Sequence, residues 1–305
     1  MDDRETAAVL VDELEGDAAE DLFVAAGADA GRLRLAHRAV AGGARLLGCG
    51  AVDHSLVNRA IGLGSARQAV ADVQEAVDRW LAEGGGERLW LDLPATIVSA
   101  WRPWLDRRGA VSTGVGRHLL AHDGALPPVI RSGIEVARAA RDEAAAVSAL
   151  LARGFGLQGV AAAILRGAVW RPRWHVFVGR VDGRRIAAAS LFVSGDRAFL
   201  GPSATVPAAR RRGAHFTLTA IAIRAALDLG CRTLVTSVPD AGSGEGAPVL
   251  RNLERLGFRC FASTRGFAVA AGGVDAVVSL PRHAREARRE FAHVAHPRAS
   301  RRSIA

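Results

Sequence analysis

The 305-residue sequence predicts an α/β (α+β) protein built in two halves. Three observations carry that expectation. The segment "AHDGALPPVIRSG", Ala121 to Gly133, interrupts two periodic regions with Asp-Gly, a double proline and Ser-Gly, as a linker does. The order helix, strand, helix occurs once on each side of it at similar spacing, with "WLDRRGAV" lying over "NLERLGFR". Between the linker and the second copy lies a run of strands punctuated by tight turns. The expected division is a first half over 1–125, a linker over 126–133, a second half over 134–270 and a basic tail over 271–305. A chain of this length is long enough for each half to bury a core.

In the first half, "AVADVQEAVDRWLAEGG" reads as a helix and "ERLWLDLP" as a strand. "TIVSAWRPWLDRRGAV" follows as a helix stopped by Gly109 and interrupted by Pro103. In the second half, "RDEAAAVSALLARGF" has acidic residues in its first turn and apolar ones at helical spacing, and "LQGVAAAILRGAVW" continues the helical pattern. "WHVFVGRVDGRRIAAASLFVSGDRAFLGPSATV" divides at Asp182-Gly183 and Ser194-Gly195-Asp196 into three strands. The helix "FTLTAIAIRAALDLG", the strand "CRTLVTSVP" and the helix "APVLRNLERLGFRCF", stopped by Gly257, complete the repeat.

The net charge of +9 comes entirely from arginine, because lysine does not occur; tyrosine is also missing. With heavy use of alanine and glycine, this reads as coding bias more than as a phosphate surface. Arg282, Arg285, Arg288, Arg289, Arg298, Arg301 and Arg302 read as a solvated tail, or as one that touches an acidic surface. Cys49, Cys231 and Cys260 are widely spaced and fit reduced thiols, with no metal site in their pattern. The acidic start lacks the order of a signal peptide, and no apolar run reaches membrane-spanning length. The expectation is a soluble, cytoplasmic protein.

The most informative stretch is "TVPAARRRGAHFTLTAIAIRAALDLGC". A helix that begins directly after a strand offers unpaired N–H groups and the positive end of its dipole, both favourable to an anion. Gly213 and the small Ala214 let a phosphate approach the backbone, and Arg210, Arg211 and Arg212 add charge around the opening. The helix is apolar over most of its circumference, with a narrow polar stripe through Thr217, Arg224 and Asp228. A DNA-reading helix would instead expose several polar side chains along one face, so the phosphate cradle is the better reading.

This segment resembles the acyl-CoA-binding motif of the GNAT N-acetyltransferases, Arg/Gln-x-x-Gly-x-Gly/Ala, with Arg210, Gly213 and His215 on its marked positions. His215 departs from the usual small residue. "NLERLGFRCF" is similar to the family's "YEKLGF" ending, and the match extends over roughly 134–269. The resemblance implies two GNAT-like domains, each a mixed, mostly antiparallel central sheet flanked by helices. It also implies acetyl-CoA as co-substrate without a metal, and an amine of a small-molecule or peptide as acceptor. By the same resemblance, the backbone from Arg211 through Ala214, His215 and Phe216 to Thr217 would hold the CoA pyrophosphate. Ala204, Thr205 and Val206 would pair with the pantetheine arm, and Pro202 would sit in a bulged, splayed strand or simply end a short one. The first half resembles the decayed partner domain of tandem GNAT proteins. Its "RAIGLG", with Arg59, Gly62 and Gly64, satisfies the same short pattern, with Ser65 as the one cap for the next helix. It is read as a structural remnant shaping the substrate cleft, a second CoA site being the other reading.

Acetyl transfer needs a neutral nitrogen, a proton acceptor and a polarised carbonyl. Where many GNAT enzymes place an acidic tyrosine, this sequence has Leu253. Ser237 and His175 are the candidate catalytic groups, with Asn252 and Cys260 flanking the lost tyrosine; strand alternation alone leaves the face of His175 open. An N-acetyltransferase is therefore expected, with a CoA-binding regulatory protein as the alternative. A nucleic-acid binder has less support, given the missing tyrosines and the absence of a known binding module.

Overall fold

The structure, a computed structural model, describes residues 3–40, 42–64, 69–130, 132–157, 159–240 and 246–272. The tail arginines named above, and Ser65, lie outside these residues. A long helix, α1 (Asp3–Ala25), and a short one, α2 (Asp29–Leu33), lead into the antiparallel pair β1 (Leu35–Ala39) and β2 (Arg45–Cys49). Then come β3 (Arg59–Ile61), α3 (Val70–Ala82), β4 (Arg88–Pro94), α4 (Val98–Arg107), β5 (Val111–Ser112) and β6 (Gly116–His122). α3 buries Val73, Val77, Trp80 and Leu81, one helical stripe. α4 runs through Pro103, which is exposed, while Trp101, Trp104 and Leu105 on the other side face the core.

The second half contains β7 (Glu135–Arg138), α5 (Ala144–Gly154) and α6 (Ala162–Arg166). The strands β8 (Trp174–Val181), β9 (Arg184–Ser194) and β10 (Arg197–Thr205) follow. α7 (Ala214–Asp228), β11 (Thr233–Asp240), α8 (Gly246–Arg255) and β12 (Phe258–Ala270) complete it. Asp182 and Gly183 both have positive φ, which a two-residue hairpin turn requires. The helix expected from "LQGVAAAILRGAVW" is only α6 between two 3₁₀ turns. Gly167 explains part of this: a Cβ there would come within 2.3 Å of Ala25 Cβ, so the segment gives up helix propensity to pass close to α1.

The sheet is mixed and mostly antiparallel, in the order β1-β2-β3-β4-β12-β6-β11-β10-β9-β8-β7, with β5 paired to β12; among the described residues only β3–β4 and β10–β11 are parallel. Strand β12 serves both halves. Its first stretch pairs with β6, from Phe258 opposite His122 to Ser263 opposite His118. Its second pairs with β4, from Thr264 opposite Pro94 to Ala270 opposite Arg88. Conversely β6, a strand of the first half, lies between β11 and β12. Each half thus lends a strand to the other half's sheet. The strand after Gly257 is the lent β12, whereas the corresponding turn at Gly109 leads first into the short β5, and β6 follows a further turn at Gly114; all three glycines have positive φ.

Helices α3 and α4 pack with β2, β4 and the end of β12 around Trp80, Trp101 and Trp104. α7 and α8 cover one face of the second half, around Ile223, Leu253 and Phe258. On the opposite face a single core joins Leu47 and Ile61 of the first half to Leu151, Trp174, Phe192 and Val235 of the second. α1 lies at its centre, burying Val11, Leu14, Leu22 and Phe23. Each such side chain contributes about 1.5–3 kcal/mol, so α1 joins the two halves.

Candidate functional site

Strands β10 and β11 pair in parallel from Arg197 opposite Thr233 to Leu200 opposite Thr236, and then part. The cause is visible in β10, whose register against β9 shifts between Leu200 and Ser203. Pro202 sits in that bulge inside a strand that continues to Thr205. The Thr236 hydroxyl donates to the Leu200 carbonyl at 2.9 Å and closes the base of the fork.

From the fork, β10 runs directly into the arginine turn. Val206 N–H bonds Ile186 O at 2.9 Å, and a 3₁₀ turn over Pro207–Ala209 follows. Arg211 and Gly213 then adopt left-handed φ values of 64° and 81°. The first bond of α7 outside its regular ladder is Thr217 N–H to Gly213 O, at 2.9 Å, so the N–H groups of Ala214, His215 and Phe216 precede it. A Cβ on Gly213 would meet nothing within 4 Å, so the space before the helix end is open. Arg210, Arg211 and Arg212 are exposed around it, whereas Ala214 and Thr217 are buried. Positive φ, a free helix N-terminus and the helix dipole all favour a negative charge at this position.

The first turn of α7 is held by α8. Asn252 Nδ2 lies 3.4 Å from His215 Nδ1, and the Arg255 guanidinium stacks over the Phe216 ring at 4.7 Å. Burial pushes the His215 imidazole down to about 4. It is therefore neutral at physiological pH, and its NMR signals should show no titration between pH 5.5 and 8. A midpoint near 6.5 would contradict that burial.

Beside the turn is a cavity of about 210 Å³ lined by Leu150 and Arg153 of α5, Arg185 of β9, Thr205, Val206 and Arg210 among others. Ala204 is buried one residue before it, where its Cβ fills the space left by Gly154. The structure therefore brings together Ala204, Thr205, Val206 and Arg210 through Thr217. It does not bring the two candidate catalytic groups together. His175 shares a sheet face with Phe177, toward α7 and α8, whereas Ser237 shares a face with Val235, toward α1. Leu253 is a core residue of α8, and exposed Cys260 donates to the Ala262 carbonyl at 3.4 Å.

Ser237 is the first residue of β11 beyond the last β10–β11 pair, and it belongs to a buried ionic cluster the sequence reading missed. Its hydroxyl donates to Glu15 Oε2 at 2.8 Å and accepts from Arg117 Nη1 at 3.3 Å. Arg117 also pairs with Glu15, with Asp92 at 2.9 Å and with Asp12 at 3.4 Å, while Arg59 holds the other oxygen of Glu15. Burial alone would raise the Glu15 carboxyl, but Arg117 and Arg59 outweigh it and hold it down at about 2. At Asp12 burial wins, helped by Glu15 and Asp92, and the carboxyl is pushed up to about 6. The one available signal was the placement of Asp12 and Glu15, three apart, inside the apolar run of α1.

Because the folded value for Asp12 lies above the ordinary 3.8, the folded state binds its proton more tightly. This carboxylate thus costs stability progressively as pH rises from about 4 to 6, and fully above that. Asp12→Asn should stabilise the protein at pH 7–8 by about 2 kcal/mol and flatten its pH dependence between 4 and 6, read from urea midpoints. An unchanged or lower midpoint at pH 8 would refute this.

The first half's "RAIGLG" has other uses. Arg59 is committed to Glu15, and a Cβ on Gly64 would come within 2.4 Å of Pro94 Cγ. Among the described residues no group of three or more His, Cys, Asp or Glu side chains is placed to hold a metal, and no helix is long and apolar enough to cross a membrane.

Residues 130–241 match the family model for an acetyltransferase (GNAT) domain. No curated protein matches the chain. A GCN5-related N-acetyltransferase from Kribbella flavida superposes with a TM-score of 0.54 at 19% identity, over 83% of this chain and 96% of that one. A putative GNAT-family acetyltransferase from Novosphingobium aromaticivorans gives 0.53 at 17% identity, over 87% and 98%. A tandem GNAT protein from the clavulanic acid biosynthesis pathway gives 0.51 at 16% identity, over 87% and 97%. Residues 130–241 are thus similar to a GNAT acetyltransferase domain, and the chain has the fold of these proteins.

Proposed function

We propose that this protein is an acetyl-CoA-dependent N-acyltransferase acting on an amine of a small-molecule or peptide acceptor. One observation carries the reading: the parallel pair β10–β11 opens after Leu200 and Thr236, and the freed strand leads through one short 3₁₀ turn to an open helix end with exposed arginines beside it. The residues fit the co-substrate, since the fork frees strand edges for an amide-bearing arm and the helix end faces open space. When bound, acetyl-CoA supplies the acyl group as an activated thioester. The N–H groups of Ala214, His215 and Phe216, with Arg210, Arg211 and Arg212, would hold the pyrophosphate. Ala204, Thr205 and Val206 would align the arm in the fork. Positioning is then the main contribution to rate.

A second reading, a CoA-binding regulatory protein without turnover, draws on two observations: the tyrosine position is a core leucine, and the Ser237 hydroxyl is directed at Glu15. The test is calorimetric titration of the full chain with acetyl-CoA, followed by an assay of thiol release with a panel of amines. Binding near one site per chain with amine-dependent release supports the enzyme. Binding without release on any amine supports the regulatory reading, and absence of binding overturns both.

A further inference from the structure

One group of reactive side chains lies outside both the cradle and the fork. His118 sits in the middle of β6, opposite Val238 of β11 on one side and Ser263 of β12 on the other. Asp240, two residues beyond Val238, is its diagonal neighbour on β11, and Cys260, opposite Leu120, is its diagonal neighbour on β12. All three share the sheet face that carries Leu120, Val238 and Phe258, and the register of β12 shifts just after Cys260, a bulge that re-aims the side chain beside it. Cys260 Sγ lies 3.7 Å from His118 Nδ1, and Asp240 Oδ1 lies 3.3 Å from His118 Nε2. Cys260 is exposed, and His118 and Asp240 are half-buried.

Thiol, imidazole and carboxylate stand in the order of an activated nucleophile, its base and the group that orients the base. Asp240 favours a proton on Nε2, which leaves the lone pair of Nδ1 facing the sulfur. The thiol hydrogen has two acceptors within reach, the Ala262 carbonyl at 3.4 Å and His118 Nδ1, and of these the imidazole is the one that can take the proton away. Partial burial raises the Cys260 thiol above its ordinary value, and the charges of Glu254 and Asp240 add to that. The resting group is therefore a thiol that needs a base, rather than a standing thiolate. A shared metal ion does not fit, because the sulfur and the carboxylate lie at opposite nitrogens of the ring. The same carboxylates repel anionic reagents, so the electrophile that suits this thiol is uncharged or cationic.

We propose that Cys260 is an acyl-accepting nucleophile toward small uncharged or cationic esters, with His118 as its base and Asp240 as the positioning residue. Sγ attacks the ester carbonyl while its proton passes to His118 Nδ1. The C–O bond to the leaving alcohol breaks, that oxygen takes the proton from Nδ1, and the acyl group remains on Sγ as a thioester. The site is separate from the α7 cradle and does not rest on the acyl-CoA reading.

The experiment is acylation of the full chain by p-nitrophenyl acetate, an uncharged ester without a nucleotide, followed by p-nitrophenolate release and by the mass of the Cys260 peptide. Cys49 and Cys231 are buried, so one fast equivalent per chain is expected, carried by Cys260. Cys260→Ala should abolish it. His118→Gln should slow it about a hundredfold, the usual contribution of a general base, and added imidazole should restore part of the rate. Asp240→Asn should slow it less, and Asp240→Glu should recover most of the rate. Far-ultraviolet spectra and urea midpoints equal to those of wild type check that each variant is folded. The anionic ester para-acetoxybenzoate should react more slowly with Cys260 than its reactivity toward a free thiol in solution predicts. An undiminished fast phase in Cys260→Ala, or acylation of His118→Gln at the wild-type rate, overturns the proposal. An anionic ester that reacts just as it does with a free thiol overturns the selection for uncharged or cationic donors.

Discussion

Gly213→Glu is expected to abolish measurable acetyl-CoA binding while leaving the protein folded. Two effects combine at this position. The backbone has φ of 81°, so any side chain adds strain of about 1–2 kcal/mol. The added carboxylate would stand before the open helix end, in the space where nothing lies within 4 Å of the glycine. A negative charge about 4 Å from a phosphate costs on the order of 4 kcal/mol at an effective dielectric near 20, or about three decades of affinity. Gly213→Ala separates the contributions, because it carries the strain without the charge; it should lower the urea midpoint similarly yet weaken binding only about tenfold. Equal affinities for wild type and Gly213→Glu would mean that acetyl-CoA, if it binds, does so elsewhere.

Arg117→Leu should be the most destabilising single change in the protein. It would leave Glu15, Asp12 and Asp92 with Arg59 as the remaining cation of the cluster. Removing one partner from a buried ion pair costs about 3–5 kcal/mol, because the orphaned charges stay desolvated. The pH dependence identifies the cause. Without Arg117 the carboxylates take up protons more readily, so the deficit relative to wild type should be largest above pH 6 and shrink toward pH 4. A deficit that is under 1 kcal/mol at pH 7 and independent of pH would show that water reaches the cluster. The measurement is paired urea titrations at pH 4.5 and 7.5.

Features written locally were legible in the sequence. The strand breaks at Asp182-Gly183 and Ser194-Gly195-Asp196 need only turn chemistry, and the cradle needs only a strand, a left-handed glycine and a helix in succession. What depends on distant partners was not legible. Asp12 and Glu15 resemble the polar face of any acidic helix until Arg117 and Asp92 come up against them. The cavity is assembled from α5, β9 and the end of β10, and periodicity does not say which helix face meets which strand. The strands 116–122 and 258–270 lie beyond the last helix of each repeat, and nothing local says which half each completes, because alternation is the same beside either neighbour.

The reciprocal strand exchange also governs how the chain is made. Pro94 of β4 pairs with Thr264 of β12, about 170 residues later, so the first half cannot close its sheet while it leaves the ribosome. At roughly 5–20 residues per second, the hydrogen-bonding edge of β4 waits on the order of 10–30 s for its partner. Throughout that wait it is an unpaired template that another nascent chain could extend. Yield of native protein should therefore follow elongation rate and chaperone capacity more closely than equilibrium stability, and pairings of this sequence separation make spontaneous refolding slow.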